Sequence, residues 1–237
     1  MKITIRPMSA EEAWTYILWA HGNFHGELKK FGYSYNFLVP KPDNEHIKAM
    51  FEKEILTESD VKFYKDFFVN EIYDVKDLQR LDDLFEKSVR ANLERGINKF
   101  LVPLLPSWNA ILPETLEILC TYGGGAGYWR KNDKQAIIYF RMSRYLGNEF
   151  GMCDIFFHEF VHMLIEEPII QKYKVPQDLK ERIVDLICYE FIQKPVDELF
   201  ANSFANAYIT PEVIKTNLPA AVEKMMADYN AMNNPDK

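Results

Sequence analysis

The stretch MCDIFFHEFVHMLI, residues 152–165, predicts a helix that is buried on nearly every side. Apolar residues occupy most of its positions, and such a helix belongs in a protein core. The same stretch carries Asp154, His158, Glu159 and His162. Burying a polar group without a partner costs roughly 1–3 kcal/mol. These four side chains are therefore expected to have partners in the folded chain.

The two histidines are spaced so that one metal ion can be bound between them. His158 and His162 are four residues apart, which on an α-helix stacks both imidazoles on one face. Two such imidazoles are a known zinc-binding arrangement, and Glu159 follows the first of them directly. From there the Glu159 carboxylate can act as a general base on a metal-activated water. The pattern predicts a Zn²⁺ site with His158 and His162 as ligands and Glu159 as the catalytic residue.

A zinc hydrolase site takes a third protein ligand. A histidine six residues after His162 would supply it in one family of zinc proteases, but that position holds Pro168. A glutamate on a later helix is the other source, and residues 177–193 carry Glu181 and Asp185 on one stripe. Glu190 and Glu198 are fallback ligands further along the chain.

The motif and its spacing resemble the gluzincin zinc metallopeptidases. Here His158-Glu159-x-x-His162 is followed by eighteen residues and then Glu181, the HExxH-x18-E spacing found in the zinc aminopeptidases and nearly that of thermolysin-like enzymes. The resemblance covers residues 158–185 and implies that Glu181 is the third zinc ligand. It also implies that Asp185 accepts a hydrogen bond from the first histidine, with Asp154 as a competing partner.

Outside that segment the chain departs from those families. It lacks the Gly-Ala-Met-Glu-Asn substrate motif of the aminopeptidases and is shorter than their typical members. Exopeptidase activity is therefore not implied, and the chain is expected to be a small gluzincin-type metallopeptidase that cuts a peptide or protein substrate. The alternative is a catalytically silent zincin-fold protein that binds or regulates a partner.

Related folds place an edge strand before the metal-binding helix, where an extended peptide pairs with it. Residues 136–140 are in the right order to be that strand. The glycine run at residues 123–127 is expected to be a loop or a flexible rim beside it.

Two further groups of residues bear on the site. An oxyanion donor is expected, and three downstream tyrosines could supply it: Tyr208, which we favour, Tyr189 and Tyr173. His21 and His25 are also four residues apart, but Gly22 and Asn23 between them make a second metal site the less favoured interpretation.

The rest of the pattern predicts a mainly helical α+β fold with a small sheet, forming one domain over residues 1–237. Residues 1–110 form a mostly helical N-terminal part, and residues 111–237 form the catalytic part. Strands are predicted at residues 2–6, 116–122 and 136–140, and helices at residues 13–20, 44–70, 74–95, 152–167, 177–193, 195–208 and 212–230. Gly96 is expected to end a helix, and prolines make residues 101–113 a loop-rich crossing.

Composition narrows the range of partners. A net charge of −7 over 237 residues argues against nucleic acid binding. No apolar run approaches the length of a membrane span. Cys120, Cys153 and Cys188 are too few and too scattered for a disulfide framework, so a cytoplasmic protein with buried thiols is expected.

Overall fold

A four-stranded mixed sheet forms beside the helices. The computed structural model describes residues 1–30, 44–121, 123, 127–130, 134–141, 149–192 and 203–233. Its strands lie in the order β1-β2-β4-β3, where β1 and β2 run parallel, β2 and β4 run parallel, and β3 runs antiparallel to β4. Their bounds are β1 Lys2–Pro7, β2 Thr115–Thr121, β3 Gly127–Arg130 and β4 Gln135–Arg141. The predicted α+β class with a small sheet is confirmed.

The three predicted strands are present, but the prediction of the edge strand is wrong. Residues 136–140 lie in β4, which is flanked by β2 on one side and β3 on the other. The strand at that end of the described sheet is β3, which follows the glycine run and was not predicted. Its four residues are too few to show a period of two, although Tyr128 and Trp129 favour an extended backbone.

Several helices precede β2 in the chain. Helix α1, Ala10–Lys30, begins with a capping box, in which Ser9 and Glu12 exchange backbone-to-side-chain hydrogen bonds. The next helices are α2, Glu45–Glu52; α3, Glu58–Phe67; α4, Val75–Leu84; and α5, Arg90–Gly96. The predicted run over residues 44–70 is broken because Thr57 forms a second capping box with Asp60 and starts a new helix.

Gly96 does not end the helical run, so that expectation is wrong. Its φ of −60° and ψ of −49° are helical, and the chain continues into a π-helical turn, Ile97–Leu101. A 3₁₀ turn and the short helix α6, Leu105–Trp108, follow before Asn109 takes a left-handed conformation with a φ of 56°. The predicted loop at 101–113 is therefore helical over its first half, because its prolines occupy first-turn positions where they are tolerated.

The C-terminal half carries the predicted metal-binding helices. Helix α7, Glu149–Ile165, runs into a π-helical turn, Glu166–Gln171, and helix α8 spans Gln177–Ile192. Of the predicted helix 195–208, the described part is a 3₁₀ turn, Phe204–Ala207, and residues 195–202 lie outside the described residues. The predicted helix 212–230 is two helices, α9 Pro211–Thr216 and α10 Leu218–Asn233, separated at Asn217.

Helix α7 lies at the centre of the packing. It contacts β3, β4, α5 and α8, and its side chains from Phe156 to Ile165 are buried except for His158 and Glu159, which are partly buried. The prediction of a buried helix is thus confirmed. The N-terminal part, residues 1–110, shares the sheet with the C-terminal part, residues 111–237, because β1 pairs with β2. Within the described ranges, no helix is both long and apolar enough to cross a membrane.

Candidate metal centre

Helices α7 and α8 bring the three predicted metal ligands together. Nε2 of His162 lies 3.0 Å from Nε2 of His158 and 3.1 Å from Oε2 of Glu181. Nε2 of His158 lies 3.6 Å from the same Glu181 oxygen. Within the part of the chain that the structure describes, these three residues form the one group of histidine, cysteine and acidic side chains placed to share an ion.

The spacing of these atoms fits a tetrahedral zinc ion. Zinc binds imidazole nitrogen and carboxylate oxygen at about 2.0–2.2 Å, so neighbouring ligand atoms at tetrahedral angles are about 3.3–3.6 Å apart. The observed separations are 3.0, 3.1 and 3.6 Å, so two lie slightly below that range and one lies at its upper end. The donor set of two imidazoles and one carboxylate is also one that zinc uses in hydrolases. An ion held by these three ligands from the described residues would keep one tetrahedral position for water or substrate.

The Glu181 carboxylate is held from two sides. Its Oε1 accepts a hydrogen bond of 2.6 Å from Nε2 of Gln177, and its Oε2 faces the two imidazoles. Burial opposes ionisation of this group, but the neighbouring charge and hydrogen bonds of His162 and His158 outweigh burial and lower the pKa of Glu181. The carboxylate is therefore ionised, as a metal ligand must be. Gln177 is not among the residues predicted for the site, although its position one turn before Glu181 on the same helix is a signal for this contact.

Asp185 lies beside the first histidine. Its Oδ1 is 3.6 Å from Nδ1 of His158, which is an ion-pair distance somewhat longer than a hydrogen bond. Asp185 is buried, and so is Arg182 on the same helix. Burial lowers the pKa of Arg182, while the charge of Asp185 acts in the opposite direction. Nε of Arg182 donates a hydrogen bond of 2.5 Å to Asn206.

Tyr128 on β3 is a neighbour of the predicted metal ligands, and the sequence does not predict this contact. Its ring stacks on the His162 ring, with 5.6 Å between centroids and 9° between planes. Its hydroxyl donates a hydrogen bond of 2.5 Å to Oε2 of Glu166, and Nζ of Lys180 lies 3.3 Å from both oxygens. No local pattern in the sequence links residue 128 to residue 162, because β3 meets α7 only in the folded chain.

Glu159 is partly buried on α7, next to His158. Its negative charge contributes to the raised pKa values of two tyrosines near the edge of the sheet, Tyr128 and Tyr16. Burial is the main cause of the raised pKa of Tyr128, and the charge of Glu159 adds to it, after that of Glu166. The same two causes, burial first and then Glu159, raise the pKa of Tyr16.

The predicted oxyanion donor, Tyr208, has a different partner. Its hydroxyl donates a hydrogen bond of 2.9 Å to Asp228 on α10, and its ring packs against Phe204. These contacts do not bring Tyr208 to the three ligands, and its proposed role stays an unsupported prediction. Tyr189 is exposed, and the ring of Tyr173 lies under the ammonium of Lys172.

The other candidates from the sequence are the two fallback ligands, the second histidine pair and Asp154. Glu190 accepts a hydrogen bond from Lys215 on α9, and Glu198 lies outside the described residues. Nε2 of His21 hydrogen-bonds to the backbone oxygen of Lys53 at 2.8 Å, a contact that favours a structural role, and the side chain of His25 is outside the described part. Asp154 is partly buried on α7, one turn before His158.

Comparisons with protein-family models, with curated proteins and with solved structures found no match. The gluzincin resemblance therefore depends on residues 158–185 and remains a prediction, supported by the geometry of this site.

Proposed function

We propose that this protein is a zinc-dependent metallopeptidase. The observation that carries the proposal is the convergence of Nε2 of His158, Nε2 of His162 and Oε2 of Glu181 at separations suited to one zinc ion. These atoms come from two helices, and their approach depends on the packing of α7 against α8. A chance HExxH motif on an exposed helix would have no third ligand in place.

In the proposed reaction, Glu159 and Asp185 have different roles. A bound zinc ion would polarise the scissile carbonyl and lower the pKa of a water molecule in the open position. Glu159 accepts the proton from that water and returns it to the leaving amine. Asp185 favours the tautomer of His158 that carries its proton on Nδ1 and leaves Nε2 free to bind.

The edge of the sheet offers a place for an extended peptide. In the described sheet β3 pairs on one side only, with β4, so its other side presents backbone donors and acceptors. Tyr128 of β3 stacks on His162, which puts this edge next to the metal ligands. A peptide added to β3 would lie across the site, and main-chain hydrogen bonds would supply its affinity. We therefore propose that the peptide adds to β3, and not to residues 136–140, for which the sequence predicted this role.

An open site favours catalysis over a purely structural role. Structural zinc sites are closed by four protein ligands, whereas catalytic sites keep one position for water or substrate. Among the described residues, the cluster has three such ligands. Glu159 next to it supplies the base that a structural site does not need.

The proposed location and substrate class are based on the cysteine positions and the net charge. We propose a cytoplasmic protein, because its three cysteines are scattered through the sequence. The net charge of −7 supports a peptide or protein substrate over nucleic acid.

Glu159→Gln tests the proposal. The zinc-loaded wild-type protein and the variant are incubated with a library of fluorescence-quenched peptides, and zinc content is measured in parallel. The variant should keep its zinc and lose roughly 100-fold or more in turnover, because only the base is removed. Glu167→Gln, at an exposed site nearby, should cleave like the wild type.

The outcomes separate the alternatives. Full turnover in Glu159→Gln contradicts the general-base role. A wild-type protein that holds zinc but cleaves no peptide contradicts the peptidase assignment and points to a zincin-fold protein that binds or regulates a partner.

A further inference from the structure

His162 differs from His158 in how its ring is held. Metal-binding histidines are usually oriented by a hydrogen bond or ion pair at the ring nitrogen that does not bind the metal. In His158 that nitrogen faces Asp185. In His162, Nδ1 is buried and has no hydrogen-bond partner among the described residues. Something else must therefore fix the His162 ring.

Without such a bond the imidazole has rotational freedom. The torsion between the Cβ atom and the ring of histidine is broad and roughly two-fold. Rotation of the ring out of its observed plane would turn Nε2 away from the position in which it can bind a metal ion. A second restraint is needed to keep Nε2 of His162 aimed at His158 and Glu181, from which it lies 3.0 and 3.1 Å.

Tyr128 supplies a flat surface against this ring. The two rings are nearly parallel, at 9°, with centroids 5.6 Å apart, within the range of offset aromatic stacking. A ring packed in this way resists tilting of its neighbour. The Tyr128 side chain lies on the α7 side of the sheet, because it contacts His162, whereas Tyr139, on the opposite face, stacks on Tyr16.

The Tyr128 ring is itself anchored. Its hydroxyl donates to Glu166, four residues after His162, and lies 3.3 Å from Nζ of Lys180, the residue before Glu181. The same ammonium lies 5.6 Å from the centre of the Tyr128 ring. The Lys180 and Glu166 side chains are paired at 3.3 Å and largely shielded from solvent. Tyr128 is thus fixed to both helices that carry metal ligands.

We propose that Tyr128, anchored by Glu166 and Lys180, is the positioning residue that holds the His162 imidazole in its metal-binding orientation. This inference rests on the proposed metal function. The stack takes the place of a hydrogen bond to Nδ1 of His162, for which the described residues provide no partner. The stack also connects the edge strand β3 to the predicted metal ligands. The strand proposed to bind the peptide and the site proposed to bind the ion are therefore joined by the contact between Tyr128 and His162.

Three variants test the inference, with readouts that do not depend on activity. Tyr128→Leu removes the ring, Tyr128→Phe removes only the hydroxyl, and Tyr139→Leu is the matched control on the other face of the sheet. The dissociation constant for zinc is measured by competition with a chromophoric chelator, and the visible absorption of the cobalt-loaded protein reports ligand geometry. Circular dichroism shows whether each variant is folded.

Tyr128→Leu should bind zinc roughly 10–100-fold more weakly and alter the cobalt spectrum, as expected when support for a ligand is lost. Tyr128→Phe should show a smaller loss in the same direction, and Tyr139→Leu should change neither readout. A folded Tyr128→Leu with wild-type zinc affinity and spectrum overturns the inference. If Tyr128→Leu does not fold, the same two readouts on Tyr128→Phe decide, and unchanged values overturn the inference. A wild-type protein that binds neither zinc nor cobalt overturns the proposed function itself.

Discussion

Nε2 of Gln177 donates a hydrogen bond of 2.6 Å to Oε1 of Glu181, one turn later on α8. Because that oxygen is engaged, Oε2 is left to face the imidazoles of His158 and His162. The arrangement favours binding of the metal through one carboxylate oxygen. A carboxylate that binds through one oxygen leaves more room in the coordination sphere for water and substrate.

Gln177→Leu should therefore weaken zinc binding by about 10-fold, the lower end of the range for residues that orient a ligand, because the hydrogen bond is exposed. Competition with a chelator measures the change. Gln79→Leu, at an exposed position on α4, serves as the control and should bind zinc normally. Equal affinities in Gln177→Leu and the wild type would show that Glu181 needs no such support.

Asp185→Asn should have two separable effects. Loss of the carboxylate charge near Nδ1 of His158 should weaken zinc binding by roughly 10–100-fold. The metal-free protein should also lose about 1–3 kcal/mol in free energy of unfolding, because buried Arg182 loses a compensating charge.

Chelator competition and urea unfolding measure the two effects of Asp185→Asn. Asp178→Asn, at an exposed site on the same helix, is the control and should show neither. Zinc affinity that survives Asp185→Asn would mean that Asp185 does not orient His158.

The parts of the site that the sequence predicted are those set by local geometry. The four-residue spacing of His158 and His162 puts both imidazoles on one face of any α-helix. The apolar setting of that helix indicated burial, which the structure confirms. Glu181 was found by its spacing from the motif, since α8 follows α7 after a short connection.

The parts that the sequence did not predict depend on contacts between distant elements. Tyr128 reaches His162 only because β3 folds back antiparallel to β4. The sequence does not predict β3, because a strand of four residues after a glycine run has no clear period, and residues 136–140 are therefore wrongly expected at the edge of the sheet. Similarly, Thr57 divides a helical run through a capping box that the apolar pattern does not reveal.

Zinc should stabilise the folded chain. A ligand that binds only the native state adds about 2.7 kcal/mol of stability when its free concentration is 100 times its dissociation constant. Thermal unfolding of the metal-free protein should therefore shift to a higher temperature on addition of zinc and return when a chelator is added.

Glu181→Ala should largely abolish this shift, because one of the three predicted ligands is lost. Glu190→Ala, on the same helix but paired with Lys215, should retain it. The same zinc-dependent shift in both variants would indicate binding elsewhere on the protein.

Elemental analysis of the purified protein tests the central claim most directly. The wild-type chain should contain about one zinc ion per molecule after dialysis, and His162→Ala should contain almost none. His46→Ala, at an exposed histidine on α2, should match the wild type. A wild-type chain that takes up no zinc, or a His162→Ala variant that keeps a full equivalent, would contradict the account.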